Sequence, residues 1–165
     1  ATRLRSLIEV WACPTFLSSQ RDRHFREIGM TDSDLQSLLA YWQKTLRLQD
    51  WDCSVRLVSQ HETRTQAHYG ESDRDAFHKT CEIRVVHPDP GGKSFGNLVP
   101  DPERTLVHEL LHLHLMEWNP TDGSAEDTAQ EQAINLIAGA LVELKRQNDL
   151  ARLPIKVTHD LRLHG

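Results

Sequence analysis

From Asp101 to about Glu117 the chain reads as a single helix with its start written into the sequence. Asp101 carries the short carboxylate of an N-cap, and Pro102 suits a first turn whose backbone N–H has no partner inside the helix. Leu106, Val107, Leu110, Leu111, Leu113 and Leu115 follow, so most of the helix surface is apolar and must pack. Asn119-Pro120-Thr121-Asp122-Gly123 ends it. Set into this apolar run is His108-Glu109-Leu110-Leu111-His112. Each helical residue turns about 100°, so two histidines four apart differ by about 40° and project from one face.

The flanking patterns fix what this helix packs with. Leu35, Leu38, Leu39, Trp42 and Leu46 recur at helical spacing and predict a helix over 33–48, with Ser33 and Gln36 as its capping box. Residues 51–58 alternate, with Trp51, Cys53, Val55 and Leu57 on the inward side of a strand. A second strand is expected over 65–71 around Ala67 and Tyr69, and a third over 78–86 with Cys81, Ile83 and Val85 inward. The prolines and glycines from His87 to Pro100 make a loop. Ser124, with Asp127 three residues on, opens a last helix over 124–147, whose buried stripe is read as Ile134, Ile137, Ala138, Leu141 and Leu144. The order helix, three strands, helix, helix predicts an α+β fold. In it a small sheet of three strands or more, antiparallel or mixed, packs on an N-terminal helix, the His108–His112 helix and a long C-terminal helix.

Residues 31–147 are therefore read as the domain, 1–30 as an N-terminal extension and 148–165 as a tail. Leu4, Leu7, Ile8 and Trp11 share one side of a short helix over 1–12, and Ile155, Val157 and Leu161 suit a short extended segment in the tail. Met30 stands directly before the helix-start residues Thr31-Asp32-Ser33-Asp34. Either the domain begins at Met30, or Met30 is an ordinary internal residue.

Charge and cysteine content narrow the function classes. The net charge of -5 divides into +2 over 1–30, +1 over 148–165 and hence -8 over 31–147. An acidic domain is a poor match for a phosphate backbone, which argues against nucleic acid as the main partner. Cys13, Cys53 and Cys81 are too few and too scattered for a disulfide framework, and no CxxC pair offers a thiolate metal site. Cys53 and Cys81 alternate with core residues and read as packing. No segment approaches the roughly 20 apolar residues of a membrane span. These features predict a cytoplasmic protein.

The chemistry points to a metal ion. Two imidazoles on one helix face can reach one zinc at about 2.0–2.1 Å. Glu109, beside the ion rather than on it, can take a proton from water there. A catalytic zinc usually keeps three protein ligands. His114 is turned about 200° from His112 and points away. Trp118 occupies the position where metzincins and the YbeY-type ribonucleases carry a third histidine, so both families are disfavoured. On the last helix Glu131 lies one turn before Ile134, where a carboxylate needs a partner or a metal. It is the expected third ligand. Asn135, one turn further, is placed to hydrogen-bond a ligating histidine.

His108-Glu-Leu-Leu-His112 followed by a helix carrying Glu131-Gln-Ala-Ile-Asn135 resembles the gluzincin branch of the zincin-like metallopeptidases. The small size and the preceding strands resemble compact members such as the ImmA/IrrE-type and phage-encoded minimal peptidases. The resemblance covers about 31–147. It departs at Asn135, where gluzincins carry an acidic residue. It implies a Zn2+-dependent peptidase, an endopeptidase acting on a narrow polypeptide substrate, with His108, His112 and Glu131 as ligands and Glu109 as general base. It also implies an edge strand, 65–71 or 78–86, that pairs with extended substrate. An oxyanion partner is needed as well; His68, Tyr69 and His78 are the candidates, and nothing in the sequence selects among them. The alternative is a zinc-binding regulatory or interaction module without peptidase activity.

Overall fold

A computed structural model describes residues 30–64, 69–87, 101–118 and 120–152. The helix expected over 1–12, His68, the loop over 88–100 and the segment around Ile155 lie outside the described residues.

Helix α1 spans Asp32–Thr45. It begins one residue earlier than expected, because its cap is Thr31 rather than Ser33. The Thr31 hydroxyl accepts from the Asp34 N–H at 3.2 Å, and the Asp34 carboxylate accepts from the Thr31 N–H at 3.0 Å. This reciprocal box releases Gln36 for another task. The Gln36 amide donates to the Val55 carbonyl at 2.6 Å, and the Asp32 carboxylate accepts from the Leu57 N–H at 2.8 Å. Two polar side chains of α1 thus occupy backbone groups on the outer side of the first strand. Leu35, Leu39 and Trp42 form its buried face.

Strands β1 (Asp52–Val58), β2 (Gly70–Asp75) and β3 (Thr80–Val86) form a mixed sheet in the order β1-β3-β2. β1 runs parallel to β3, with Cys53 opposite Cys81 and Val55 opposite Ile83. β2 runs antiparallel to β3, with Ser72 opposite Ile83. As expected, the inward residues of β3 are Cys81, Ile83 and Val85. In β1 only Val55 of the predicted inward set is fully buried, joined by Val58. Trp51, Cys53 and Leu57 are half-buried because β1 is an edge.

The second strand lies further along the chain than alternation predicts, at Gly70–Asp75 instead of 65–71. Its sequence, Gly-Glu-Ser-Asp-Arg-Asp, has no apolar side chain to reveal it. Pairing with β3 holds it, reinforced by Arg84, whose guanidinium donates to Glu71 at 2.6 Å and to Asp73 at 2.7 Å. Arg64 also pairs with Asp73. Asp75 closes the hairpin by accepting from the N–H groups of Phe77 and His78.

Helix α2 spans Pro102–His114, capped by the Asp101 carboxylate on the Arg104 N–H at 3.2 Å. It ends three residues short of the expected Glu117. Helix α3 spans Ala125–Ala151, capped by Ser124. α2 packs on β2, β3, α1 and α3, whereas the main contact of α3 is with α2. The buried residues of α3 are accordingly Gln130, Ile134, Ala138 and Val142, a row four residues apart. Of the predicted stripe, Ile134 and Ala138 are buried and Leu141 is half-buried. Ile137 and Leu144 are 48% and 56% exposed. One neighbouring helix covers only one side of α3. Among the described residues the architecture is α+β: three α-helices and a three-stranded mixed sheet. Among the described residues no helix is long and apolar enough to cross a membrane.

Candidate metal centre

α2 and α3 run antiparallel, and their contact sets the geometry of the centre. At one end Arg146 of α3 grips the start of α2, donating to both oxygens of Asp101 at 2.8 and 3.0 Å and to Glu103 at 3.2 Å. Glu103 is only 3% exposed. It also accepts from the Trp42 indole at 3.1 Å and faces the Lys145 ammonium at 3.2 Å. At the other end the buried Gln130 amide donates to the Trp118 carbonyl at 2.6 Å. Between these ties, Arg104 donates to the Asn135 carbonyl at 3.1 Å. The two helices therefore meet in a fixed register.

That register brings His108, His112 and Glu131 together. The histidine Nε2 atoms are 3.2 Å apart. Each also lies 3.2 Å from a different carboxylate oxygen of Glu131. Among the described residues this is the only cluster of three metal-ligating side chains. The spacing fits a single ion: donors about 2.0–2.1 Å from a tetrahedral zinc lie about 3.3 Å from one another. Two imidazoles and a carboxylate also form the donor set of open zinc sites. Hydrogen bonds from His108 and His112 hold the Glu131 carboxyl far below the usual carboxylate range. Burial opposes protonation of His108, but Glu131, Glu109 and a hydrogen bond with the Asn135 side chain outweigh it and raise its pKa.

Glu109 points from α2 toward the sheet. It is 7% exposed and accepts from the Ser72 hydroxyl of β2 at 2.6 Å. β2 reaches α2 this closely because residue 70 is glycine. A Cβ there would stand 2.4 Å from Thr105 Cγ2 and 3.2 Å from the Arg84 carbonyl oxygen. Sequence reasoning missed Ser72, since it lies in a strand that no apolar pattern marks.

A cleft of about 1140 Å³ opens over the cluster, bordered by β2 on one side and α3 on the other, with Glu109 in its wall. Tyr69 lines it. His78 does not; it is exposed and pairs with Asp75 at 2.7 Å. His114 is also exposed and outside the cleft, as its angle requires. Cys81 is buried and Cys53 half-buried, and neither borders the cleft. No family model, curated protein or solved structure matches this chain.

Proposed function

We propose that the chain is a zinc-dependent metallopeptidase in which His108, His112 and Glu131 hold the ion and Glu109 is the general base. The observation that carries this reading is the shared cleft. A two-histidine, one-carboxylate donor set and a separate, anchored carboxylate line the same open groove. A site serving structure alone has no use for that extra carboxylate beside the ligands.

Zinc, when bound, supplies the positive charge that polarises a scissile carbonyl and acidifies the attacking water. Glu109 accepts the proton of that water and passes it to the leaving amine. Ser72 holds Oε2 of Glu109, which fixes the carboxylate and leaves Oε1 for the proton. Among the described residues β2 is an outer strand of the sheet with no further strand beside it, and it borders the cleft, a suitable track for an extended polypeptide substrate. Tyr69 is the candidate within the cleft for stabilising the oxyanion.

The test compares wild type, Glu131→Ala and Glu109→Gln for zinc content and for cleavage of fluorescein-labelled casein. Wild type is expected to hold one equivalent of zinc and to cleave. Glu131→Ala is expected to lose zinc. Glu109→Gln should keep zinc and lose about 10²–10⁴ in rate. Full zinc occupancy in Glu131→Ala overturns the ligand set, and unchanged cleavage by Glu109→Gln overturns the mechanism. Stoichiometric zinc with no cleavage by wild type points instead to a zinc-bearing regulatory module.

A further inference from the structure

Helix α3 carries more apolar surface than the described residues of its domain cover. Its buried row, Gln130, Ile134, Ala138 and Val142, faces α2. A second row runs along the other side: Ala129, Ala133, Leu136, Ile137, Ala140 and Leu144, all exposed. Leu136 is 74% exposed, the largest value among the large apolar residues of this helix. The spacing of three and four residues keeps the row on one face over about 22 Å at 1.5 Å per residue. Apolar side chains in a continuous exposed row mark an interaction surface.

We propose that this face pairs with the same face of a second copy of the chain, α3 against α3, antiparallel about a two-fold axis. Self-complementarity selects this occupant. A two-fold contact requires that if residue i meets j, then j meets i. With the axis midway between Ile137 and Ala140, each Ile137 meets an Ala140 of the other copy, and each Leu144 meets an Ala133. Ile137 and Leu144 thus fall on alanines, as close helix packing needs, while Leu136 meets the half-buried Leu141 at the edge of the row. The same register sets Glu126, in the first turn of α3, beside Arg152 of the other copy, at the helix C-cap. Both residues are exposed. The antiparallel arrangement also opposes the two helix dipoles, with the positive end of each beside the negative end of the other. Glu131 projects from a different side of α3, so both clefts stay open in the dimer.

Sedimentation equilibrium of the full chain from micromolar to submillimolar concentration tests this. Wild type is expected to show a monomer–dimer equilibrium. Leu144→Glu places a charge against Ala133 twice per dimer and should raise the dissociation constant about 100-fold or more, with helical circular dichroism unchanged. Glu126→Lys and Arg152→Glu should each weaken the dimer by about twofold to tenfold, and the double swap should restore it. The swaps involve exposed side chains only, so they decide the matter even if Leu144→Glu fails to fold. A monomer at every concentration overturns the proposal. So does a dimer indifferent to Leu144→Glu or to both single swaps, which assigns the contact to another surface.

Discussion

The Ser72 hydroxyl donates to Oε2 of Glu109 across 2.6 Å, tying the edge strand β2 to the helix that carries both histidines. The carboxylate is otherwise nearly enclosed, so this bond decides which way its second oxygen faces. Under the proposed mechanism, Ser72→Ala should lower kcat on labelled casein about tenfold while KM and zinc content stay as in wild type. Ser72→Thr keeps the hydroxyl and should retain most of the rate. Equal rates in Ser72→Ala and wild type would remove Ser72 from the machinery.

Gly70→Ala should destabilise the domain by about 1–3 kcal/mol in urea unfolding, because the new methyl group enters the space of the Thr105 side chain. Trimming the obstacle is the check. Thr105→Ser removes the methyl group nearest to that Cβ, so the double variant should recover part of the loss. Strictly additive effects would show that the close approach of β2 to α2 is not what requires glycine.

The Arg146 clamp makes a prediction about stability. Arg146→Met removes a partner from Glu103, a nearly fully buried carboxylate that among the described residues keeps Trp42 and Lys145. Removing one side of a buried pair costs about 3–5 kcal/mol. The low end applies here, since Arg146 is partly open to solvent and Lys145 remains. Chemical denaturation should show a fall of about 3 kcal/mol with an unchanged m-value. A loss below about 0.5 kcal/mol would demote the network to a surface feature.

Acid should loosen the β2 edge before the helices. Burial pushes the Glu71 carboxyl up, but the Arg64 N–H and the Arg84 guanidinium outweigh it, so its pKa lies below the ordinary 4.5. Asp73 is likewise held below 3.8, with Arg84 and Arg64 overcoming burial. A carboxyl whose pKa is depressed on folding stabilises the fold above its unfolded pKa, and that stabilisation is lost as pH falls through the folded value. Stability measured from pH 7 downward should hold until about pH 4.5 and then decline. Arg84→Met should flatten that decline. An equally steep decline in Arg84→Met would place the acid-sensitive pairs elsewhere.

His108 and His112 could be read from spacing alone, because helical periodicity converts a separation of four residues directly into a shared face. Glu131 could be read because an acid one turn from Ile134 stands out beside a buried row, although its side chain is 41% exposed in the cleft rather than enclosed. The same argument applies to Glu103, an acid one turn before Leu106, yet its partners lie on α1 and α3, distant in sequence. β2 was illegible for a different reason. Its six residues include no apolar side chain, and pairing with β3 plus three charged contacts holds it. Ser72 was hidden with it. On α3 the apolar spacing was visible, but the helix carries two apolar rows. Periodicity does not say which row faces inward; only the position of α2 settles that Ile134 and Ala138 do, and Ile137 and Leu144 do not.

The two margins of the sheet have different fates. Along β1, Asp32 and Gln36 occupy the backbone groups that another strand would need. Along β2 no such contact is made among the described residues, and four of its six side chains are charged. An unblocked margin is where sheets of neighbouring molecules fuse, and charge is the usual deterrent. Glu71, Asp73, Arg74 and Asp75 set charge along that margin, the composition expected of an edge that resists pairing with a neighbouring molecule.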